Sequence, residues 1–129
     1  MPQTQTSGAA GNAFGRTMAP KVASAIGAKM VGRGSNEAVW NGKRIVIKSA
    51  RANTLSIGVT YRMLDYIDSV VAAFEREDGS FELFEVSANA YKKLMTPTRS
   101  LGASAGRVGI VRRQSIEETG KPLRRVTVR

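Results

Sequence analysis

The residues available for chemistry are limited, because the sequence contains neither cysteine nor histidine. Their absence excludes disulfides, thiolate metal sites, imidazole catalysis and histidine-ligated zinc. Any chemistry must therefore use carboxylates, lysines, hydroxyl groups or the main chain. Glu37 stands out among these groups, because it is the only acidic residue in the first sixty. Lys48 is the lysine that the local pattern places near it.

Residues 36–49 predict two short strands joined by a turn at Asn41 and Gly42. Asn-Gly between apolar runs is a strong hairpin signal, because a type I′ turn needs positive φ at both central residues. In that register Glu37 faces Val46, and Lys48 lies diagonally from Glu37 on the same face, about 7 to 8 Å away between backbones. The opposite face is predicted to be core and carries Ala38, Trp40, Ile45 and Ile47.

The rest of the chain predicts one α/β domain, with a mixed central sheet flanked by short helices. Residues 1–18 are small, polar and glycine-rich, which is typical of a flexible arm, and residues 19–129 form the domain with its basic C-terminal tail. A first helix should begin at Pro20. The other predicted elements are strands at 57–59, 69–74, 81–86 and 107–112, helices at 61–68 and 88–95 capped by Thr60 and Ser87, a loop at 96–106 and an edge strand within 117–129.

Positive charge is concentrated in two parts of the chain. The net charge is +10, made up of +7 over residues 1–60, −5 over residues 61–90 and +8 over residues 91–129. Clustered cations in a small domain are typical of a polyanion binder, although a merely basic surface is the alternative. No apolar run reaches the roughly 18 residues of a membrane helix, and no signal peptide is evident, so we expect a cytoplasmic protein without a membrane partner.

The element order adds a family resemblance. A helix, three meandering strands, a helix and a further strand, with an acid before the hairpin turn and a lysine after it, resemble the PD-(D/E)XK nuclease superfamily. The similarity covers residues 19–90 and is greatest with small type II restriction endonucleases. There an Asn-Asp-Ala-Val segment and a Glu-x-Lys-Ser segment occupy the places of residues 36–39 and 46–49.

The resemblance implies a restriction-endonuclease-like fold and metal-dependent hydrolysis of phosphodiesters in DNA. It implies that Glu37 and the main-chain carbonyl of Ile47 hold Mg²⁺ or Mn²⁺, and that Glu37 and Lys48 are the catalytic residues. Val46 stands where the family has its second acid. The acids that could replace it from elsewhere are Glu85, Glu75, Asp65 and Asp68.

Three functions remain open on the sequence. The first is a DNA endonuclease with a reduced active site. The second is a catalytically inactive DNA-binding module on the same fold, in which Glu37 and Lys48 form only an ion pair contributing about 0 to 1 kcal/mol. The third is a basic RNA-binding protein, although the chain lacks an aromatic and basic strand of the RNP type.

The expected partner is nucleic acid, above all double-stranded DNA. A homodimer formed through the arm or the first helix is a further expectation, by analogy with enzymes that cut both strands. The residues predicted to contact nucleic acid are Arg33, Arg44, Arg51, Asn53, Thr54, Tyr61, Arg62, Arg99, Arg107, Arg112 and Arg113.

Overall fold

A computed structural model describes residues 5–31, 36–97 and 107–127, with the side chains of 5–12 and of Pro97 left aside. Within these residues the protein is a mixed α/β structure with one six-stranded sheet, one three-stranded sheet and four helices. The elements are α1 (Gln5–Ile26), β1 (Lys29–Met30), β2 (Glu37–Trp40), β3 (Lys43–Ala50), β4 (Ser56–Thr60), α2 (Tyr61–Leu64), β5 (Ser69–Glu75), β6 (Phe81–Ser87), α3 (Ala88–Leu94), β7 (Thr96–Pro97), β8 (Val108–Arg112), α4 (Arg113–Thr119) and β9 (Lys121–Val126).

The six-stranded sheet has the order β1-β2-β3-β5-β6-β9. Strands β3 and β5 are parallel, and every other neighbouring pair is antiparallel. Between β3 and β5 the chain leaves the sheet through β4 and α2. The strand predicted at 69–74 is present as β5, and all its residues from Ser69 to Phe74 are buried, as in a strand covered on both faces.

Two apolar clusters cover the two faces of this sheet. On one face α1 packs against alternate residues of the central strands, such as Ile45 and Val71. On the other face the second sheet, in the order β4-β8-β7, and helices α2 to α4 cover Val46, Val70 and Phe74. The side chains of Glu37 and Lys48 belong to this second face, because they alternate with the residues that pack on α1.

The N-terminal region differs from the predicted flexible arm. Most of residues 1–18 belong to α1, and Pro20, the predicted first helical residue, lies inside this helix. Phe14 stacks on Phe81 with 6.3 Å between ring centroids, and Met18 is buried. Packing of these side chains on the sheet stabilises a helix whose glycine-rich composition does not predict it.

The third strand of the meander comes before the hairpin rather than after it. β1 pairs with β2, whereas β4, which contains the strand predicted at 57–59, pairs with β8 in the second sheet. Hydrophobic period identifies a strand but does not say which sheet it joins. At Gly58 the two strands β4 and β8 approach closely, because a Cβ atom there would lie 2.9 Å from Val108 Cγ1.

The C-terminal third contains one helix that the sequence did not predict. In α4 only Arg113 and Ile116 are buried, so its apolar pattern is too weak to indicate a helix. The predicted strands at 81–86 and 107–112 and the edge strand of the tail are present as β6, β8 and β9. The predicted caps are also confirmed, since Thr60 and Ser87 each accept a main-chain hydrogen bond at the start of α2 and α3. Most of the predicted loop 96–106 lies outside the described residues.

Candidate functional site

The hairpin that carries Glu37 and Lys48 has the predicted turn and register. Asn41 and Gly42 have φ values of 52° and 76°, as a type I′ turn requires. Glu37 pairs with Val46 across β2 and β3. The Ile47 N–H donates to the Asn36 carbonyl at 2.8 Å, so the main-chain groups of Ile47 point toward β2. The side chain of Ile47 is fully buried on the α1 face. Only its main-chain carbonyl could therefore bind the metal ion that the family resemblance implies.

Lys48 lines a cleft between β3, β4 and α2. The cleft has a volume of about 290 Å³, and its other lining residues are Asn36, Val46, Gly58, Val59, Thr60, Met63 and Val108. Lys48 is half-buried, and burial lowers the pKa of its ammonium group. In the described part of the chain no carboxylate lies within ion-pairing distance of it. The cleft therefore contains a desolvated cation without a protein counter-ion among the described residues.

The carboxylate of Glu37 is held by a tyrosine. The Tyr66 hydroxyl donates to Glu37 Oε1 at 2.8 Å, and this hydrogen bond raises the pKa of Tyr66. Tyr66 is placed there by the parallel pairing of β3 with β5. The Asp68 N–H donates to the Arg44 carbonyl at 2.7 Å, and the Arg44 N–H donates to Asp68 Oδ2 at 2.9 Å. Sequence reasoning missed this contact, because nothing local indicates the parallel register that brings the 65–68 segment to the hairpin.

The four acids considered as replacements for the second metal ligand have other contacts. Glu85 pairs with Val71 and so lies on the α1 face, where it forms an ion pair with Lys43. Glu75 lies two residues after Ala73 and so on that same face, and its carboxylate accepts a hydrogen bond from the Ala52 N–H at 3.0 Å. Asp65 contacts Lys92 at 3.4 Å, and Asp68 binds the Arg44 main chain.

The donor set for a divalent cation is therefore small. Val46, opposite Glu37, is only 3% exposed and packs in the apolar cluster. No group of three or more acidic side chains that could hold a metal ion occurs within residues 5–31, 36–97 and 107–127. Mg²⁺ binds through as few as one or two carboxylates together with substrate phosphate and water. Glu37 and the Ile47 carbonyl fit such an ion only in this minimal form.

The residues predicted to contact nucleic acid are divided by the structure into several groups. Arg33 and Arg99 lie outside the described residues. Arg44, Arg62, Arg107 and Arg112 are exposed and, in the part of the chain that is described, have no carboxylate partner. Arg62, Arg107 and Arg112 lie on α2 and β8 or next to them, on the Lys48 side of the large sheet. The half-buried Tyr61 joins these two elements, because its N–H donates to the Arg107 carbonyl at 2.9 Å.

The loop at 51–54, which carries Arg51, Asn53 and Thr54, is fixed by Arg113 from inside. The Arg113 guanidinium donates to the carbonyls of Arg51, Ala52 and Thr54 at 2.9, 3.4 and 3.2 Å, and to that of Glu75 at 2.6 Å. Its side chain is buried and lies 4.7 Å from the centroid of the Phe74 ring. Burial lowers the pKa of this guanidinium. The structure thus places Arg113 as the support of this loop, in contrast to the predicted phosphate contact.

Two further predicted groups have contacts that limit their roles. Arg51 is exposed, but its guanidinium lies 4.1 Å from the centroid of the Phe14 ring on α1. Trp40, predicted as core, packs against the α1 cluster and donates its indole N–H to the Ile26 carbonyl at 3.1 Å.

Three acidic residues lie in a second pocket, which shares no lining residue with the Lys48 cleft. Glu75, Glu77 and Asp78 line this separate polar pocket at the turn between β5 and β6, together with arginines that are paired with carboxylates.

Within the described residues no helix is long and apolar enough to cross a membrane. Comparison of the sequence with protein-family models and with curated proteins finds no match.

Proposed function

We propose that this protein binds DNA as a member of the restriction-endonuclease-like class, and that Glu37 and Lys48 act on a backbone phosphate. Support for the class comes from the element order: a helix, the β1-β2-β3 meander, strand β4 of the second sheet, a short helix, and a strand parallel to β3. The observation that carries the proposal is Lys48. A half-buried ammonium without a carboxylate partner costs folding free energy, and a phosphate oxygen in the cleft would neutralise it.

The path of the nucleic acid follows from the exposed cations. Arg62 and Arg107 lie next to the segments that line the Lys48 cleft, and Arg44 lies on the Glu37 face. Phosphate contacts of this kind position a duplex without reading its sequence. Double-stranded DNA is accordingly the proposed ligand, and its affinity should fall steeply as salt rises, because bound phosphates release counterions.

For hydrolysis, Glu37 and the Ile47 carbonyl would hold Mg²⁺ or Mn²⁺ together with the substrate phosphate. The bound cation would polarise the phosphoryl oxygen and lower the pKa of a water molecule. Lys48 would donate a hydrogen bond to a non-bridging phosphate oxygen and stabilise the negative charge that develops on it. Tyr66 would keep the Glu37 carboxylate in one orientation through its hydroxyl.

A second candidate is DNA binding without cleavage. The observation that favours it is the burial of Val46 in the apolar cluster at the position opposite Glu37. In this case Lys48 would still bind phosphate, but no metal-dependent step would follow. Both candidates predict the same binding face and differ only in turnover.

Incubation of supercoiled plasmid with the protein and Mg²⁺ or Mn²⁺ separates the two candidates. Nicking that is lost in Lys48→Met but retained in Lys21→Met supports the endonuclease, since Lys21 is exposed on α1, across the sheet from the cleft. Absence of nicking with either metal over varied DNA contradicts it and leaves the binding module. An affinity for DNA that does not change with salt contradicts both.

A further inference from the structure

Tyr66 presents an aromatic ring to solvent beside Glu37. Its side chain is 45% exposed, whereas Tyr91 is buried and Tyr61 is half-buried. In the described residues it is one of three large apolar side chains that are exposed; the others are Val39 and Leu55. Packing of the protein core does not explain why an exposed tyrosine stands next to the candidate phosphate site.

The orientation of this ring is fixed at both ends. Its hydroxyl donates to Glu37, and its main-chain N–H donates to the Met63 carbonyl at 3.2 Å. The Arg44 guanidinium lies 5.8 Å from the ring centroid. Because the ring is already held, a ligand that packs on it would lose little side-chain entropy from the protein.

Val39 extends the same surface. It pairs with Arg44 across β2 and β3, so the two side chains share the face that carries Glu37. Val39, Arg44 and Tyr66 together form a small patch, here named the Tyr66 platform, with an aromatic ring, an aliphatic side chain and a cation. The patch is too small and too charged for a stable protein interface, which typically buries about 800 Å² per partner. A flat aromatic group that is joined to a phosphate fits it better.

We infer that the Tyr66 platform stacks one unpaired nucleobase while the adjoining phosphate lies toward Glu37 and Lys48. This inference rests on the proposed nucleic-acid function and specifies its substrate. In an intact duplex both faces of each base are already stacked, so only a single strand or a locally unpaired nucleotide can supply a free base. The preferred substrate is therefore DNA with an unpaired nucleotide at the site.

Three labelled DNA ligands test the platform: a single strand, its perfect duplex, and the same duplex with a small bulge. We expect the wild-type protein to bind the single strand and the bulged duplex more tightly than the perfect duplex at equal salt. Tyr66→Ala should weaken binding of the first two by about 5- to 150-fold, the range of one base–aromatic stack, and weaken binding of the perfect duplex by clearly less. Tyr66→Phe keeps the ring but loses the hydroxyl that holds it, so its affinities should fall only slightly and stay much closer to those of the wild type than to those of Tyr66→Ala.

The outcomes separate the platform from the proposed function. If the wild type prefers the perfect duplex, or if Tyr66→Ala changes all three affinities equally or not at all, the platform is refuted while DNA binding stands. If Tyr66→Phe weakens binding as much as Tyr66→Ala, the hydroxyl rather than the ring is responsible, which also refutes stacking. If the wild type binds none of the ligands in a salt-dependent way, both the proposed function and the platform fail.

Discussion

Replacement of Arg113 by methionine should destabilise the fold and loosen the 51–54 loop. The guanidinium makes two short hydrogen bonds to main-chain carbonyls, at 2.6 Å to Glu75 and 2.9 Å to Arg51, and two longer ones. Methionine can still pack on the Phe74 ring but cannot donate. The main-chain carbonyls that accept hydrogen bonds from Arg113 would then have to accept them from water or remain without a donor.

The size of the effect follows from these contacts. A hydrogen bond that involves a charged group contributes about 1.5 to 3 kcal/mol net, so the two short bonds together suggest about 3 to 6 kcal/mol. Loop carbonyls that reach water recover part of this loss, and methionine restores part of the packing. We therefore expect the free energy of unfolding to fall by about 3 kcal/mol. Arg113→Lys should lose nearly as much, because an ammonium group cannot reproduce the planar fork that reaches several carbonyls.

Urea unfolding followed by Trp40 fluorescence measures this change, because Trp40 is the only tryptophan in the chain. Arg112→Met is the matched control: it removes the neighbouring arginine, which is exposed, and should change stability by less than about 0.5 kcal/mol. A loss below about 1 kcal/mol for Arg113→Met, or equal losses for the two variants, would refute the role assigned to Arg113.

Three other predictions concern stability. Tyr91→Phe should cost about 1 to 2 kcal/mol in urea unfolding, because the buried hydroxyl donates to the Gly109 carbonyl at 2.7 Å and phenylalanine removes that hydrogen bond. Arg76 and Arg125 hold the pKa of Glu82 below its usual value, so their stabilisation is complete above pH 4.5 and is lost as the pH falls through the lowered pKa. Glu82→Gln should therefore flatten the acid limb of a plot of melting temperature against pH, whereas an unchanged limb would contradict the assignment. Lys48→Met should raise the urea midpoint and increase the free energy of unfolding by about 1 kcal/mol, because it removes a desolvated cation. A lower midpoint would show that Lys48 has a stabilising partner.

The sequence predicted the local geometry of the site well and its surroundings poorly. The Asn41-Gly42 turn sets the hairpin register by itself, so the facing of Glu37 and Val46 needed no tertiary information. The 65–68 segment depends instead on a parallel pairing between distant strands, which local patterns do not encode. Tyr66 was for this reason not predicted as a partner of Glu37.

Predictions made from charge and composition alone were wrong where tertiary packing determines the structure. Arg112 and Arg113 are neighbouring arginines, and only the tertiary structure shows that Arg113 is buried while Arg112 is exposed. Residues 5–18 have the composition of a flexible arm, yet α1 extends through them because the sheet offers an apolar face to Phe14 and Met18. A weak local preference was in both cases overruled by burial.

The contrast between Lys48 and Val46 bears on the choice between the two proposed functions. The two proposed functions make different demands on these positions, because only metal-dependent hydrolysis would benefit from a carboxylate at the position of Val46. Val46 satisfies the apolar cluster, so it is explained by packing alone. Lys48 is not explained in this way, because an apolar residue would fill the same position without desolvating a charge. The proposed phosphate contact would account for Lys48 whether or not Glu37 holds a metal ion. The proposed DNA contact is accordingly independent of Val46, whereas the proposed cleavage would depend on a single carboxylate.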